Sequence, residues 1–474
     1  MLPLLSLALC STASAAVLNT RSTPTVSIDV DPSTQYQVVD GWGCSQAFQR
    51  AEDVLGKDGL SATNQSYVLD LLFSLEKGAG FTILRNGIGS SNTSTSNLMN
   101  TIEPASPGSP DSTPNYVWDG YNSGQFPLAQ AAKQRGAPYI YADAWSAPGF
   151  MKTNGDDANG GHLCGVSNAT CSTGDWKQAY ADYLVQYWKF YQDAGVPVTH
   201  MGFLNEPSFE ANYASMLSNG TQAAEFIRVL GATIEREGID VQLTCCDDYG
   251  WTDQEALMAG LQEVGPDGKS AEDYLSVITG HGYASAPTFP LSTTKRSWQT
   301  EWGDLSGGFT PYNFWNNGGP GEGLTWASHI QVAFAQANVS AFLYWIGAEN
   351  STTNSGLINL IGDEVIPSKR FWSFAQFSKF VRPGARRIAA TSSDGDLTVT
   401  AFSNENGAIA LQVLNNATTD QDIKVTINGG PAKSFVPYIT NNQHDLDAMP
   451  SLLQNGNGHI QATVPAKSLV SFVQ

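Results

Sequence analysis

His200-Met201-Gly202-Phe203-Leu204-Asn205-Glu206-Pro207 opens as a short β-type run and closes on an amide and a carboxylate. A helical period stands on each side of it. Before it, from Asp175 to the stop at Gly195 and Pro197, Trp176, Tyr180, Tyr183, Leu184, Tyr187, Trp188 and Tyr191 recur at three- and four-residue steps, a packing stripe. After it, between Thr221 and Gly238, Phe226, Ile227, Leu230 and Ile234 mark a buried face and leave Arg228, Glu235 and Arg236 to solvent. A strand between two such helices is one unit of an alternating β/α protein. In those proteins the carboxyl ends of the strands carry the chemistry.

Seven further runs extend the pattern in both directions: Gln37 to Trp42, Phe81 to Ile88, Tyr139 to Trp145, Val241 to Cys246, Val277 to Tyr283, Ser297 to Trp302 and Ala341 to Trp345. Most are continuously apolar, as parallel strands covered on both faces must be. Eight runs alternating with helices predict an α/β fold, a (β/α)8 barrel over residues 37–383. Between Tyr283 and Ser297 no helical period exists, so the sixth repeat is expected to be abbreviated. Beyond the breaker Arg382-Pro383-Gly384, period-two strands separated by turns such as Asn428-Gly429-Gly430 predict a small antiparallel β-sandwich. The run from Thr25 to Val30 has the same alternation, which gives a side domain of residues 24–36 and 384–474. All 12 Trp lie between Trp42 and Trp372, so this side domain lacks the usual sugar-stacking ring and reads as structural.

The charge balance is 24 basic against 44 acidic residues, a net charge of −20. That repels phosphate backbones and anionic bilayers and excludes nucleic acid and membrane surfaces as partners. Residues 1–16, with the apolar run Leu4 to Leu9 and the exit Ala13-Ser14-Ala15, read as a secretory signal. Sequons at Asn64, Asn92, Asn168, Asn219, Asn338, Asn350 and Asn416 suit a secreted glycoprotein. A monomer is expected. Of the cysteines left after the leader, Cys164 and Cys171 are spaced for a local disulfide, and the pairing of Cys44, Cys245 and Cys246 stays open. The six His are scattered, without a CxxC or HExxH pattern, and we expect no metal or other cofactor.

Two strand ends carry a Glu in an aromatic, polar setting, at Asn205-Glu206-Pro207 and at Trp298-Gln299-Thr300-Glu301-Trp302. Paired carboxylates are what glycosidic cleavage needs. One protonates the leaving oxygen, and the other attacks the anomeric carbon. Asn205 is placed to bond a sugar 2-hydroxyl, Pro207 is expected to keep Glu206 extended, and Trp298 and Trp302 are expected to supply apolar walls. Arg85, at the end of the second run, either keeps the nucleophilic carboxylate ionised or belongs to a structural ion pair.

Beside these residues stand Asp40-Gly41-Trp42-Gly43, the run Trp145-Ser146-Ala147-Pro148-Gly149-Phe150-Met151-Lys152-Thr153-Asn154-Gly155, His281-Gly282-Tyr283 and Thr300-Glu301-Trp302. In this order the motifs resemble glycoside hydrolase family 30. The resemblance implies a retaining barrel hydrolase with an attached β-sandwich. It implies Glu206 as general acid/base, Glu301 as nucleophile, and Asn205, Arg85, Trp145, Tyr283 and Trp345 around the bond that breaks. The run Gly41-Trp42-Gly43-Cys44-Ser45-Gln46-Ala47-Phe48-Gln49-Arg50 is most similar to the family's fungal xylan-active branch.

Bacterial glucuronoxylanases of the family place an Arg after strand eight, whereas Tyr344-Trp345-Ile346-Gly347-Ala348-Glu349 offers no cation. Arg50 is then the candidate for a glucuronate branch, or it pairs with Glu52 or Asp53. The Ser-, Thr-, Asn- and Pro-rich segment Ser90 to Val117 is too long for a plain connector. It either shapes one side of the cleft, with Asn97 as a contact and xylobiose release from chain ends as a consequence, or is a decorated, disordered loop. The expected substrate is cell-wall xylan or glucuronoxylan. The alternatives are a β-1,6-glucan or β-1,6-galactan, a reducing-end xylose-releasing activity, or a non-catalytic carbohydrate-binding protein.

Overall fold

The computed structural model describes residues 25–93, 99–428, 433–455 and 458–474. The leader and Asn97 lie outside the described residues.

The chain starts in the side domain. Strand β1 (Val26–Val38) pairs antiparallel with β12 (Arg386–Ser392) and parallel with β15 (Gln421–Ile427). Gln37 and Val38 complete this strand, so the first barrel strand begins later than the sequence suggests. The barrel is formed by β2 (Gly41–Ser45), β3 (Ile83–Ile88), β4 (Tyr139–Ala144), β5 (His200–Met201), β6 (Gln242–Asp248), β7 (Val277–His281), β8 (Arg296–Glu301) and β9 (Ala341–Asn350). All neighbours are parallel, and β9 closes the ring by pairing with both β8 and β2. The expected (β/α)8 barrel is present.

The outer layer comprises α1 (Arg50–Leu55), α2 (Ala62–Phe73), α3 (Gln125–Gln134), α4 (Lys177–Asp193), α5 (Gly220–Glu237), α6 (Trp251–Leu261), α7 (Gly323–Gln336) and α8 (Lys369–Ser378). No helix among the described residues separates β7 from β8, so the sixth repeat is abbreviated as its sequence requires. The aromatic stripe of α4 is inward: Tyr180, Tyr183, Tyr187 and Tyr191 are buried. Helix α5 starts at a capping box between Asn219 and Gln222 and ends at Gly238, whose φ of 65° needs glycine. The sequon residue Asn219 therefore spends its side chain on the helix.

Strands β10 (Gly356–Ile361) and β11 (Glu364–Pro367) extend the barrel wall beside β9. The side domain adds β13 (Leu397–Ser403), β14 (Ile409–Asn415), β16 (Ser434–Thr440), β17 (Asp445–Ala448), β18 (Leu452–Leu453), β19 (His459–Val464) and β20 (Ser468–Val473). Its own core gathers Ile28, Val30, Leu411, Val413, Val425 and Phe472. No helix of the described residues is long and apolar enough to cross a membrane.

Candidate active site

Side chains alternate along a strand, and three bulges at the carboxyl end of the barrel break that alternation. Between β2 and β9 the register steps over Trp345, between β6 and β7 over Asp247, and between β7 and β8 over Thr300. The third bulge lets Thr300 and Glu301, neighbours in sequence, both serve the barrel mouth.

Both oxygens of Glu301 are held. Arg85 donates to Oε2 from Nη1, and the Tyr283 hydroxyl donates to Oε1 at 3.0 Å. Through Nη2, Arg85 also donates to Asn205 at 2.6 Å and to Asp143 at 2.8 Å, and its guanidinium lies over the Trp145 ring at 4.6 Å. Glu206 sits across from Glu301, with its Oε1 3.0 Å from Nδ1 of His281, and His281 Nε2 is 3.8 Å from Glu301. One oxygen of each carboxylate and one His281 nitrogen all lie within 4.8 Å of one another. Beneath them Asp247 accepts from Tyr141, from Thr300 and, at 2.7 Å, from Thr279. It lies 3.5 Å from His281 and 3.6 Å from Arg85.

These contacts set the charges. Burial opposes ionisation of Asp247, but His281, Arg85 and Thr279 outweigh it and hold the carboxyl down at about 2. Burial likewise opposes a charged His281, yet Glu301, Asp247 and Glu206 surround it and lift it to about 10. Glu206 is pushed above the usual carboxylate range by burial, against the bond from His281 and with repulsion from Glu301 adding. Burial and the neighbouring Asp247 push Asp143 well up. The result is a carboxyl disposed to keep its proton at Glu206, facing Glu301 clamped between a guanidinium and a phenol. Glu206, His281 and Glu301 are also the one trio among the described residues close enough to hold a metal ion. An imidazolium offers a cation no lone pair, so the donor set fits one poorly.

The structure brings together Arg85, Trp145, Asn205, Glu206, Tyr283 and Glu301. Trp345 closes one side through Phe48, whose ring meets Trp145, Tyr213 and Trp345 at 5.3, 5.7 and 5.7 Å. Arg50 stands further out, in a cavity of about 1200 Å³ that also takes in Trp345 and Tyr121. It pairs with Glu349 at 3.2 Å, and with neither Glu52 nor Asp53. Arg85 forms ion pairs with both Asp143 and Glu301.

Three expectations are corrected. Glu206 is not extended: its φ of 50° lies in the left-handed region, as does that of Asp247 at 52°, and the Glu206 N–H bonds the Asp247 carbonyl at 2.8 Å. The strand before it is only His200–Met201, so tertiary contacts outweigh the bias imposed by Pro207. Trp298 faces the barrel axis at the opposite end, among Ile83, Tyr141, Val277 and Leu343. Trp302 falls behind the sheet, 4.1 Å from His329 and 5.3 Å from Trp326 of α7. Neither Trp walls the site. The described part of Ser90 to Val117 is ordered, with bridges Gly89 to Thr101 and Ser91 to Asn100 and with Met99, Ile102 and Glu103 buried. Sequence reading passed over His281 and Asp247 as functional groups. The first lies within the quoted His281-Gly282-Tyr283 motif, and the second is placed by a bulge that no periodicity announces.

A parallel eightfold barrel with two carboxylates facing each other at its mouth is an arrangement that suits glycosidic cleavage. Comparison with known proteins narrows this reading. The sequence profile of O-glycosyl hydrolase family 30 matches residues 25–259, and that of the family 30 β-sandwich domain matches residues 384–472. The catalytic domain of GH30 xylanase C from Talaromyces cellulolyticus superimposes with a TM-score of 0.87 at 42% identity, over 94% of this chain and 99% of that one. Endo-1,6-beta-D-glucanase BGN16.3 of Trichoderma harzianum is 24% identical over 429 residues, 86% of this chain and 84% of its own. Glucuronoxylanase XynC of Bacillus subtilis is 29% identical over 155 residues, 32% of this chain and 34% of its own. The chain belongs to glycoside hydrolase family 30.

Proposed function

We propose that this is a secreted, retaining β-1,4-xylanase acting on xylan and glucuronoxylan, with Glu206 as acid/base and Glu301 as nucleophile. The observation that carries the mechanism is the approach of the two carboxylates to within 4.8 Å, oxygen to oxygen. Retention needs carboxyl groups roughly 5 to 5.5 Å apart, whereas inversion needs a wider gap that admits a water. The proton of Glu206 passes to the glycosidic oxygen as a Glu301 oxygen bonds the anomeric carbon and the leaving chain departs. Water then gives a proton to Glu206 and its oxygen to the anomeric carbon, and Glu301 is released. Arg85 and Tyr283 hold the nucleophile in line, while Asn205 and Trp145 position the sugar. The 42% identity to a Talaromyces xylanase across nearly the whole chain supports xylan as the polymer.

Arg50 is the proposed contact for an acidic branch. Its Nε faces Glu349, its Nη1 donates to the Phe48 carbonyl at 3.0 Å, and the residue lines the cavity. We include Asn97 as a further proposed sugar contact and xylobiose release as a second product route. The test is mass-resolved product profiling on glucuronoxylan, arabinoxylan and linear xylo-oligosaccharides, with wild type beside Arg50→Ala. Acidic oligosaccharides are expected from wild type and reduced in the variant, with neutral products retained. The likeness to fungal β-1,6-glucanases makes β-1,6-glucan the second reading, and turnover of that polymer in place of xylan would select it.

A further inference from the structure

The residues around the catalytic pair leave one aromatic feature unused. Tyr283, whose hydroxyl holds Glu301, stacks on Tyr249 with ring centroids 5.5 Å apart and planes 22° apart. Tyr249 stacks in turn on Phe209, at 4.8 Å and 15°. The ladder therefore runs from the nucleophile outward and ends on a Phe ring that is 37% exposed. Isolated apolar side chains at a surface are ordinary. A ring that terminates a stack rooted at the nucleophile is not isolated.

The ladder's direction fixes which sugar it meets. Phe209 follows Glu206 by three residues, and its N–H bonds the Glu206 carbonyl at 2.8 Å. Tyr249 lies within reach of the Glu206 charge, which acts on its phenol together with burial. The stack thus leaves the carboxylate pair on the side of the proton donor. The group lying beside a general acid is the leaving group, because that acid protonates the bond's oxygen. Trp145, Phe48 and Trp345 belong to another aromatic cluster, which continues into the Arg50 cavity.

We propose that Phe209 and Tyr249 form the platform for the leaving-group sugars, so that the outgoing chain is gripped by stacking. This rests on the assignment of Glu206 as acid/base, and it does not depend on which polymer is cut. The apolar face of a pyranose on an exposed aromatic ring buries both from water, and the polar rim of the sugar stays hydrated. Interactions with remote sugars raise kcat/KM only for substrates that have them.

The test compares two substrates with the same glycone, xylotetraose and β-xylobiosyl fluoride, the second of which has no leaving sugar. In Phe209→Ala and in Tyr249→Ala, kcat/KM for the tetraose is expected to fall about five- to tenfold relative to that for the fluoride. Phe209→Trp is expected to restore the ratio. A ratio unchanged from wild type in both alanine variants, with fluoride turnover showing that the site is intact, overturns the proposal. If wild type turns over neither xylo-compound, the xylan reading has failed separately. The same comparison then runs on gentiotetraose and β-gentiobiosyl fluoride, and the same ratio decides.

Discussion

With Glu206 as the proposed acid/base, its hydrogen bond to His281 bears on the pH dependence of the reaction. The imidazolium donates to the Glu206 carboxyl and draws it downward, against the burial that pushes it up. In His281→Asn the positive charge is gone and Glu206 should hold its proton to higher pH. The alkaline limb of kcat/KM is therefore expected to move upward, and pH-rate profiles of both enzymes check it. An unmoved limb would mean that His281 serves packing alone. The shift also links to stability. A histidine held up at about 10 contributes stability that is present in full below its ordinary 6.5 and is lost as pH rises through 10. The variant should therefore be destabilised most below about pH 6.5, progressively less between 6.5 and 10, and least in strong alkali, as read by urea unfolding at each pH. Glu206→Gln and Glu301→Gln should each lose at least about a thousandfold in kcat, with unchanged circular dichroism. Glu206→Gln should keep far more of its glycosylation rate on a fluoride leaving group, which needs little protonation, than Glu301→Gln does.

Among the elements, the loop between β4 and α4 carries the Trp145 to Gly155 run and is tied by the disulfide Cys164–Cys171. The spacing of seven residues made this bridge legible in the sequence. Removing it as Cys164→Ala with Cys171→Ala frees a short loop in the unfolded chain and is expected to cost about 2 to 3 kcal/mol, measured as a lower urea midpoint. Cys245 and Cys246, also bridged, and Cys44, buried with a free thiol, could not be paired from spacing. The same contrast holds for the strands. Eight apolar runs and the missing sixth helix were readable because burial on two faces and helical amphipathicity leave direct compositional traces. The direction of individual side chains at the mouth was not. Trp298 and Trp302 flank Glu301 in sequence, yet one faces the far end of the barrel and the other packs behind the sheet. A bulge shifts the alternation by one residue and has no local signature in Gln299-Thr300-Glu301. Glu206 shows the same limit, since its left-handed backbone is imposed by Asp247, 41 positions away in the chain.

The barrel and the sandwich meet in a contact that is both apolar and extensively hydrogen-bonded. Phe402, Ala410, Leu414 and Leu469 of the sandwich belong to the same continuous core as the barrel helices, and the Phe334 and Phe402 rings meet edge to face at 5.6 Å. Within that contact Gln331 donates to the Gln412 carbonyl at 3.3 Å and Gln412 donates to the Gln376 carbonyl at 3.2 Å. Gln376 reaches Thr440 at 3.0 Å, and the Ser471 hydroxyl sits between the side chains of Gln376 and Gln412. All of these residues are buried, so a lost partner leaves a polar group without water. Gln412→Leu should therefore cost about 1 to 3 kcal/mol. The distribution of Trp makes the readout specific: all 12 lie between Trp42 and Trp372, and the mutated strand has none. If the two parts unfold together, the variant's tryptophan fluorescence midpoint in urea falls along with its far-ultraviolet dichroism midpoint. If the sandwich were an independent module, dichroism would show an earlier step while fluorescence stayed at the wild-type value. With β1 threading the first described residues into the sandwich between β12 and β15, the sandwich is not a contiguous stretch of chain and the barrel is inserted within it. The coincident shift is the expected result.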